Sequence, residues 1–203
     1  MNRRLTARGK ARRAELMGFA AQQFATSGYD PTSVADIVSG LGVGKGVFYW
    51  YFSSKDELFI EILREAQYNL RRRQQQAIGD EPDPLRRIEL GIRASMHWLD
   101  AHRHLFTLFQ FAASDERFLP ALRAGNEVAV ADAARHVKDA IVAGRIADVD
   151  PLIVTHAILG VTNSLARRFI FERGDPPEEV ADAAVGFCLG GLLGPRPAKA
   201  ARR

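Results

Sequence analysis

The sequence predicts an all-α protein. Three observations carry that prediction: apolar residues recur at helical spacing along almost the whole chain, no stretch shows four or more cleanly alternating positions bounded by turn residues, and Gly, Pro and Asp punctuate the chain between the periodic segments. A first helix is expected from near Arg8 to Ser27, with Leu16, Phe19, Ala20 and Phe24 on one face, a weak position at Gly18, and Gly28 where a terminating glycine belongs. A short second helix follows in TSVADIV. Thr32 or Ser33 is its N-cap, Asp36 lies in its first turn, and Val34, Ile37 and Val38 supply its buried face. Leu41-Gly42-Val43 breaks it, and a third short helix is expected at about Gly44 to Trp50. A fourth opens at Ser53 or Ser54, carries Asp56 and Glu57 in its first turn, and continues through Leu58 and Ile62 towards Arg73.

Gly79–Pro84 gathers two prolines, a glycine and three acids, which sets a loose boundary. Beyond it, helices are expected at about Pro84–Ala101, His104–Ala113, Phe118–Gly144, Pro151–Gly174 and Pro176–Gly194. The tail PRPAKAARR is expected to be disordered, and no internal repeat is visible.

With 203 residues, 47% of them apolar and 26% charged, the composition is that of a globular protein. The lone Cys188 excludes an internal disulfide or a multi-cysteine zinc cluster and fits a reducing compartment. The basic amino terminus leads into no apolar stretch of secretory type, and the apolar runs from Leu152 and Ala183 fall short of the ~20 residues a membrane helix needs. A cytoplasmic protein with no membrane partner is expected. Charge is unevenly placed: residues 1–75 hold 12 Lys or Arg against 7 Asp or Glu, and residues 76–203 hold 16 against 17. Arg3, Arg4, Arg8, Lys10, Arg12 and Arg13 fall in the first 13 residues without an acid among them, a pattern that suits a polyanion such as nucleic acid.

Two short helices around a glycine-containing turn, with Val34, Ile37, Leu41, Val43 and Phe48 at the locking positions, form the pattern of a helix-turn-helix. The run GVGKGVFYWYFSSKDELF sharpens it: a glycine-punctuated short helix, a series of aromatics, then an acid-capped helix. On these residues the chain resembles the tetracycline-repressor (TetR) family of one-component transcriptional regulators. The resemblance is close over about Arg13–Leu63, including GYDPTSVADIV, and looser beyond, where GRIADVDP and the last two helices match in layout.

The resemblance implies a helix-turn-helix DNA-binding domain over 1–54 with a basic arm, a connecting helix over 55–79, a ligand-binding and dimerisation domain over 80–194, and a tail at 195–203. It places Gly44–Trp50 in the major groove, with Tyr49 and Lys55 on phosphates. A phenol can donate to a phosphate oxygen, and a lysine at a helix N-terminus adds its charge to the dipole. Thr32 is expected to bind a phosphate in the same way. Gly44 and Val47 stand where many relatives carry hydroxyl residues, so Lys45 becomes the candidate for guanine O6/N7 and Val47 for a thymine methyl. Phe48 and Phe52 read as core; Trp50 and Tyr51 are divided between groove and core.

The segment Ile88–Phe118 is rich in large apolar and amphipathic groups, and the family's equivalent helices enclose a ligand. Trp98, His102, Phe106, Phe109, Gln110, Asn126 and Asn163 are the candidate pocket residues for an apolar or aromatic effector. Small residues in the last two helices, Gly160, Ala183, Gly186 and Gly190 among them, suit close helix approach, and the family builds its dimer from the matching pair. Three other leads are set aside. GLGVGKG lacks a preceding strand and a Ser or Thr after its lysine. His97, Asp100 and His104 share a face only if no break falls near His102. Cys188 has no neighbouring base in sequence. The resulting expectation is a ligand-responsive repressor that binds a palindromic operator as a homodimer, without catalytic residues, metal or cofactor. The competing class is a helical small-molecule-binding protein or enzyme with a vestigial helix-turn-helix.

Overall fold

The computed structural model describes residues 6–193; Arg3, Arg4 and the tail expected at 195–203 lie outside the described residues. Helix α1 (Ala7–Ser27) starts under Thr6, whose side-chain oxygen accepts the Gly9 N–H at 3.2 Å, and ends where the Gly28 N–H donates to the Phe24 carbonyl. Gly18 lies on the exposed side of this unbroken helix. Helix α2 (Val34–Gly40) is capped by Ser33: the Asp36 N–H donates to Ser33 Oγ at 3.2 Å, and the Ser33 N–H donates back to the Asp36 carboxylate at 2.8 Å. This reciprocal pair satisfies two orphan donors of the first turn. The Ser33 hydroxyl also donates to that carboxylate, at 2.6 Å, and with the Ser33 N–H it holds the Asp36 carboxyl below the usual carboxylate range.

The turn to α3 (Lys45–Tyr51) depends on Gly42, whose φ of +66° is the left-handed conformation that a side chain disfavours. Across the turn the Gly42 and Val43 N–H groups donate to the carbonyls of Ser39 and Val38. Gly40 serves a different purpose: a Cβ there would lie 2.1 Å from Cζ of Phe19, so the absent side chain lets that ring close against α2. Helix α4 (Lys55–Ile78) opens under Ser54, whose Oγ accepts the Glu57 N–H at 3.0 Å, while the Glu57 carboxylate accepts the Ser53 N–H and hydroxyl, each at 2.6 Å. There follow α5 (Pro84–Ala101), α6 (His104–Ser114), α7 (Leu119–Val142) and α8 (Pro151–Leu165), the last with Pro151 in its first turn and Asp150 as its cap. The helix expected over 151–174 continues from α8 as a π-helical segment, Ala166–Arg173, before α9 (Pro177–Leu193).

The chain divides into two compact units, the first running to Asn69 and including His102–Gly125, the second comprising Leu70–Ala101 and the chain from Asn126 onward. This differs from the division at 54 and 79 expected from the sequence, because α6 and the start of α7 cluster with the N-terminal helices. The reason is aromatic packing. Phe111 and Phe118 join Phe24, Tyr29 and Phe59, with ring centroids 4.6 Å apart for Phe59 and Phe118 and 5.1 Å apart for Tyr29 and Phe111. Leu16, Ile37, Phe48, Phe52 and Leu58 complete the core of the first unit, each at most 1% exposed.

The second unit is centred on Ile88, Ile92 and Met96 of α5, packed with Val137 of α7, Val154 and Ile158 of α8, Ile170, and Val180, Ala181, Ala184 and Cys188 of α9. Small residues on that face of α9 permit close packing. Arg93 fastens α5 to α9 by pairing with Asp182 at 2.7 Å while also meeting Glu89 at 2.9 Å. Cys188 is buried in this core, and burial pushes its thiol up, which suits an inert side chain.

Phe59 is fully buried at the centre of the aromatic cluster. Phe59→Ala is expected to destabilise the protein by about 3–5 kcal/mol, read as a lowered urea midpoint followed by circular dichroism.

Candidate functional site

Helix α3 presents the outward side chains that the sequence singled out. Gly44 is its N-cap and makes no side-chain capping bond; Lys45 is exposed and Val47 partly so. Tyr49 is 56% and Trp50 58% exposed, whereas Phe48 is fully buried, which divides the helix into an anchored face and an open face. The open face therefore carries one lysine, one phenol and one indole, groups suited to phosphate contact, base-edge contact and stacking.

Two residues expected on phosphates are committed elsewhere. Thr32 is only 3% exposed, and its hydroxyl donates to the Gly28 carbonyl at 2.7 Å. Lys55 points inward: its Nζ donates to the carbonyls of Tyr29 at 2.8 Å and Thr32 at 2.9 Å, approaches that of Asp30 at 3.4 Å, and lies 4.2 Å from the centroid of the Tyr29 ring. Its three N–H donors are thus used in pinning the α1–α2 connection to the start of α4. Tyr29 donates its hydroxyl to Asp56, and burial together with that carboxylate pushes the phenol well above its ordinary range. Arg117 stands 3.6 Å from Asp56 and pairs with Asp115 at 2.6 Å. The basic arm is also partly neutralised, since Arg13 pairs with Glu61 at 2.6 Å and Arg12 with Glu15 at 2.6 Å, while Arg8 and Lys10 stay exposed.

The second unit contains a cavity of about 260 Å³. Its walls are helical stripes: Arg71, Gln74, Gln75 and Ile78 from α4; Arg87, Ile88, Gly91, Ile92 and Ser95 from α5; Ala129, Asp132, Ala133, Arg135, His136 and Val137 from α7; Thr155, Ile158, Leu159 and Thr162 from α8. Gln74 donates to Ser95 Oγ at 2.8 Å, and the hydroxyls of Ser95, Thr155 and Thr162 donate back to carbonyls of their own helices. Arg87 pairs with Asp139 at 2.9 Å and Arg135 with Asp132 at 2.6 Å. Arg87 Nε and His136 Nδ1 are buried without a hydrogen-bond partner. Burial and the neighbouring Arg87 hold the His136 imidazole below its ordinary range.

None of the seven expected pocket residues lines this cavity. His102, Phe106, Phe109 and Gln110 belong to the first unit; Trp98 is buried on α5, and Asn126 and Asn163 are exposed on α7 and α8. The aromatic density of the sequence lies on other faces, whereas the cavity is walled by aliphatic stripes interrupted by polar residues. The readable signal was the spacing of polar groups at helical intervals, such as Arg71, Gln74 and Gln75 or Thr155 and Thr162. His97 pairs with Glu178 at 2.7 Å, and α5 ends at Ala101, so His97 and His104 do not share a helix face. Among the described residues no set of three His, Cys, Asp or Glu side chains is placed to hold a metal ion, and no helix is long and apolar enough to cross a membrane.

Gly160, Ala183, Gly186 and Gly190 are all exposed, and a Cβ added to any of the three glycines meets nothing within 4 Å. Ile153 on α8 and Phe187 on α9 are 69% and 68% exposed. Ala184 and Cys188, by contrast, face the core.

Residues 16–62 match the family described as "Bacterial regulatory proteins, tetR family". The HTH-type transcriptional repressor KstR2 of Mycobacterium tuberculosis is 32% identical over 107 residues, covering 53% of this chain and 54% of the repressor. The chain spans about half the length of the curated relatives it matches. Whole-chain similarity comes from solved structures. The TetR family transcriptional regulator PfmR of Thermus thermophilus superimposes with a TM-score of 0.73 at 27% identity, covering 87% of this chain and 98% of PfmR. The structure described as the ketosteroid transcriptional regulator KstR2 of Mycobacterium tuberculosis gives 0.68 at 26% identity, covering 93% and 96%.

The inward placement of Lys55 has a measurable consequence. Lys55→Met keeps the aliphatic stem but removes the ammonium from the carbonyl cluster, and is expected to cost about 1–3 kcal/mol of stability, measured by urea denaturation. Unchanged stability would show that the three carbonyls do not depend on it.

Proposed function

We propose that this chain, whose residues 16–62 match the tetR family of bacterial regulatory proteins, is a ligand-responsive transcriptional repressor of that family that binds a palindromic DNA operator as a homodimer. The observation that carries the reading is the two-faced α3. Phe48 anchors it by complete burial, while Lys45, Tyr49 and Trp50 stand out towards solvent at the helix-turn-helix. Lys45 reads a base edge, Val47 touches a thymine methyl, and Tyr49 holds a phosphate beside the backbone N–H groups at Gly44. Arg8 and Lys10 add sequence-independent attraction from the arm. One such helix reaches few base pairs, so a second copy related by a dyad supplies the rest of the site. The exposed Ile153, Phe187, Gly160, Ala183, Gly186 and Gly190 support a pairing face made from α8 and α9. The cavity of the second unit is the effector site, and occupancy changes the spacing of the two reading heads. No reaction is assigned to the protein.

The test is a gel shift on the DNA upstream of the protein's own coding sequence at several salt concentrations. A discrete complex whose affinity falls with salt is expected; only diffuse, sequence-independent retention would favour a helical binding protein that does not read DNA. In that assay Tyr49→Ala is expected to weaken all sequences alike, whereas Lys45→Ala shifts the preference among operator variants by about 1–3 kcal/mol. A uniform loss for Lys45→Ala would reassign that lysine to a phosphate.

Gly186→Leu places a branched side chain where two chains would meet. The substitution is expected to yield a folded monomer in analytical ultracentrifugation and to weaken operator binding in parallel, since each dyad interface receives the change twice. A folded variant that remains dimeric would move the interface elsewhere.

A further inference from the structure

The cavity holds more chemical information than its volume. Its apolar wall, made by Ile78, Ile88, Ile92, Val137, Ile158 and Leu159, accepts a hydrocarbon body. At about 260 Å³ it lies at the small end for an organic ligand. Polar groups are confined to a few points, and most are already satisfied within the protein. The hydroxyls of Thr155 and Thr162 donate to their own helices, and Gln74 and Ser95 bond to each other. Two atoms are not satisfied: Arg87 Nε and His136 Nδ1, both buried. A guanidinium nitrogen can only donate, and an imidazole nitrogen can donate or accept, so both side chains suit an acceptor group on an occupant. A buried donor without a partner is costly, so this part of the wall favours an acceptor.

Charge selects that group. Arg71, Arg87 and Arg135 line the cavity, and the carboxylates that pair with them are Asp132 and Asp139. Asp132 serves two of the three guanidiniums, at 3.9 Å from Arg71 and 2.6 Å from Arg135. The guanidiniums thus outnumber their carboxylates by one, and the two least exposed of them, Arg71 and Arg87, are each 20% exposed, so the wall favours one negative charge on the occupant. We infer that the cavity takes a small monoanion, an apolar body bearing one carboxylate, whose head group lies against Arg87 and His136 of the wall. The inference rests on the proposed reading of this cavity as the effector site. It assigns the head-group chemistry and the two anchoring residues.

The test is calorimetric titration of the full chain at neutral pH with three probes that share one body: 4-phenylbutyrate, 4-phenylbutan-1-ol and 4-phenylbutylamine. The acid is expected to bind once per chain and at least about tenfold more tightly than the alcohol, with the amine weakest. Arg87→Gln and His136→Phe should each abolish the preference for acid over alcohol while leaving alcohol binding as it was. Should Arg87→Gln lose its fold by circular dichroism, because Asp139 is left unpaired, His136→Phe decides alone. Ile92→Trp, which fills the apolar wall, should weaken acid and alcohol together. Equal binding of acid and alcohol, both sensitive to Ile92→Trp, would overturn the anionic assignment and leave the cavity as a ligand site. An acid preference untouched by both anchor substitutions would overturn the assigned anchors. Absence of binding by all three probes would overturn the inference and count against the effector-site reading as well.

Discussion

Tyr29 is 3% exposed and surrounded by the rings of Phe24, Phe59, Phe111 and Phe118, yet it carries a hydroxyl that cannot be left without an acceptor in such surroundings. Asp56 in the first turn of α4 accepts it, and Lys55 beside it fills the carbonyls of Tyr29 and Thr32. One buried phenol thus ties the α1–α2 connection, the start of α4 and the α6–α7 segment to a single point. The orientation of α2, and through Gly42 that of α3, follows from it. Arg117 meets the same carboxylate from the α6–α7 connection, so the charge of Asp56 is balanced from a third direction. The open face of α3 is useful only because this anchoring leaves it a fixed place in its unit.

The second unit solves a different problem. Its core on α5 and α9 is sealed by small side chains and aliphatic residues, but the stripes of α4, α5, α7 and α8 that line the cavity mix isoleucines with arginines, a histidine and hydroxyls. Polar groups inside a helical unit are tolerated when each finds a partner. Here the hydroxyls and amides find one, whereas one guanidinium nitrogen and one imidazole nitrogen do not. A unit shaped only for stability would fill these positions with apolar side chains.

Electrostatics in the arm show why charge counts overstate a binding surface. Of the described basic residues near the amino terminus, Arg12 and Arg13 are engaged with Glu15 and Glu61, and Arg13 also lies 5.3 Å from the Phe52 ring centroid. Exposed pairs of this kind contribute little to stability, but they do cancel the long-range field that a polyanion would feel.

The sequence by itself determined the helices, the short turn at Leu41–Val43, the buried Phe48 and Phe52, and the small-residue positions of the last two helices. Each of these rests on local facts: helical periodicity, capping chemistry and the conformational preference of glycine act within a few residues. It did not determine that Lys55 turns towards the carbonyls of Tyr29 and Thr32, because a cation at a helix start looks the same whether it meets a phosphate or a carbonyl more than twenty residues away in the chain. Nor did it separate Thr32 from Ser33 as the cap, since either hydroxyl stands near the first turn and only the backbone path decides. The tertiary structure alone decided that α6 packs with the N-terminal helices, and that the cavity is walled by residues such as Arg87 and His136 instead of the aromatics of α6. Periodicity reports that a helix has a face to bury; it carries no information about which distant face will cover it or where that covering will be left incomplete.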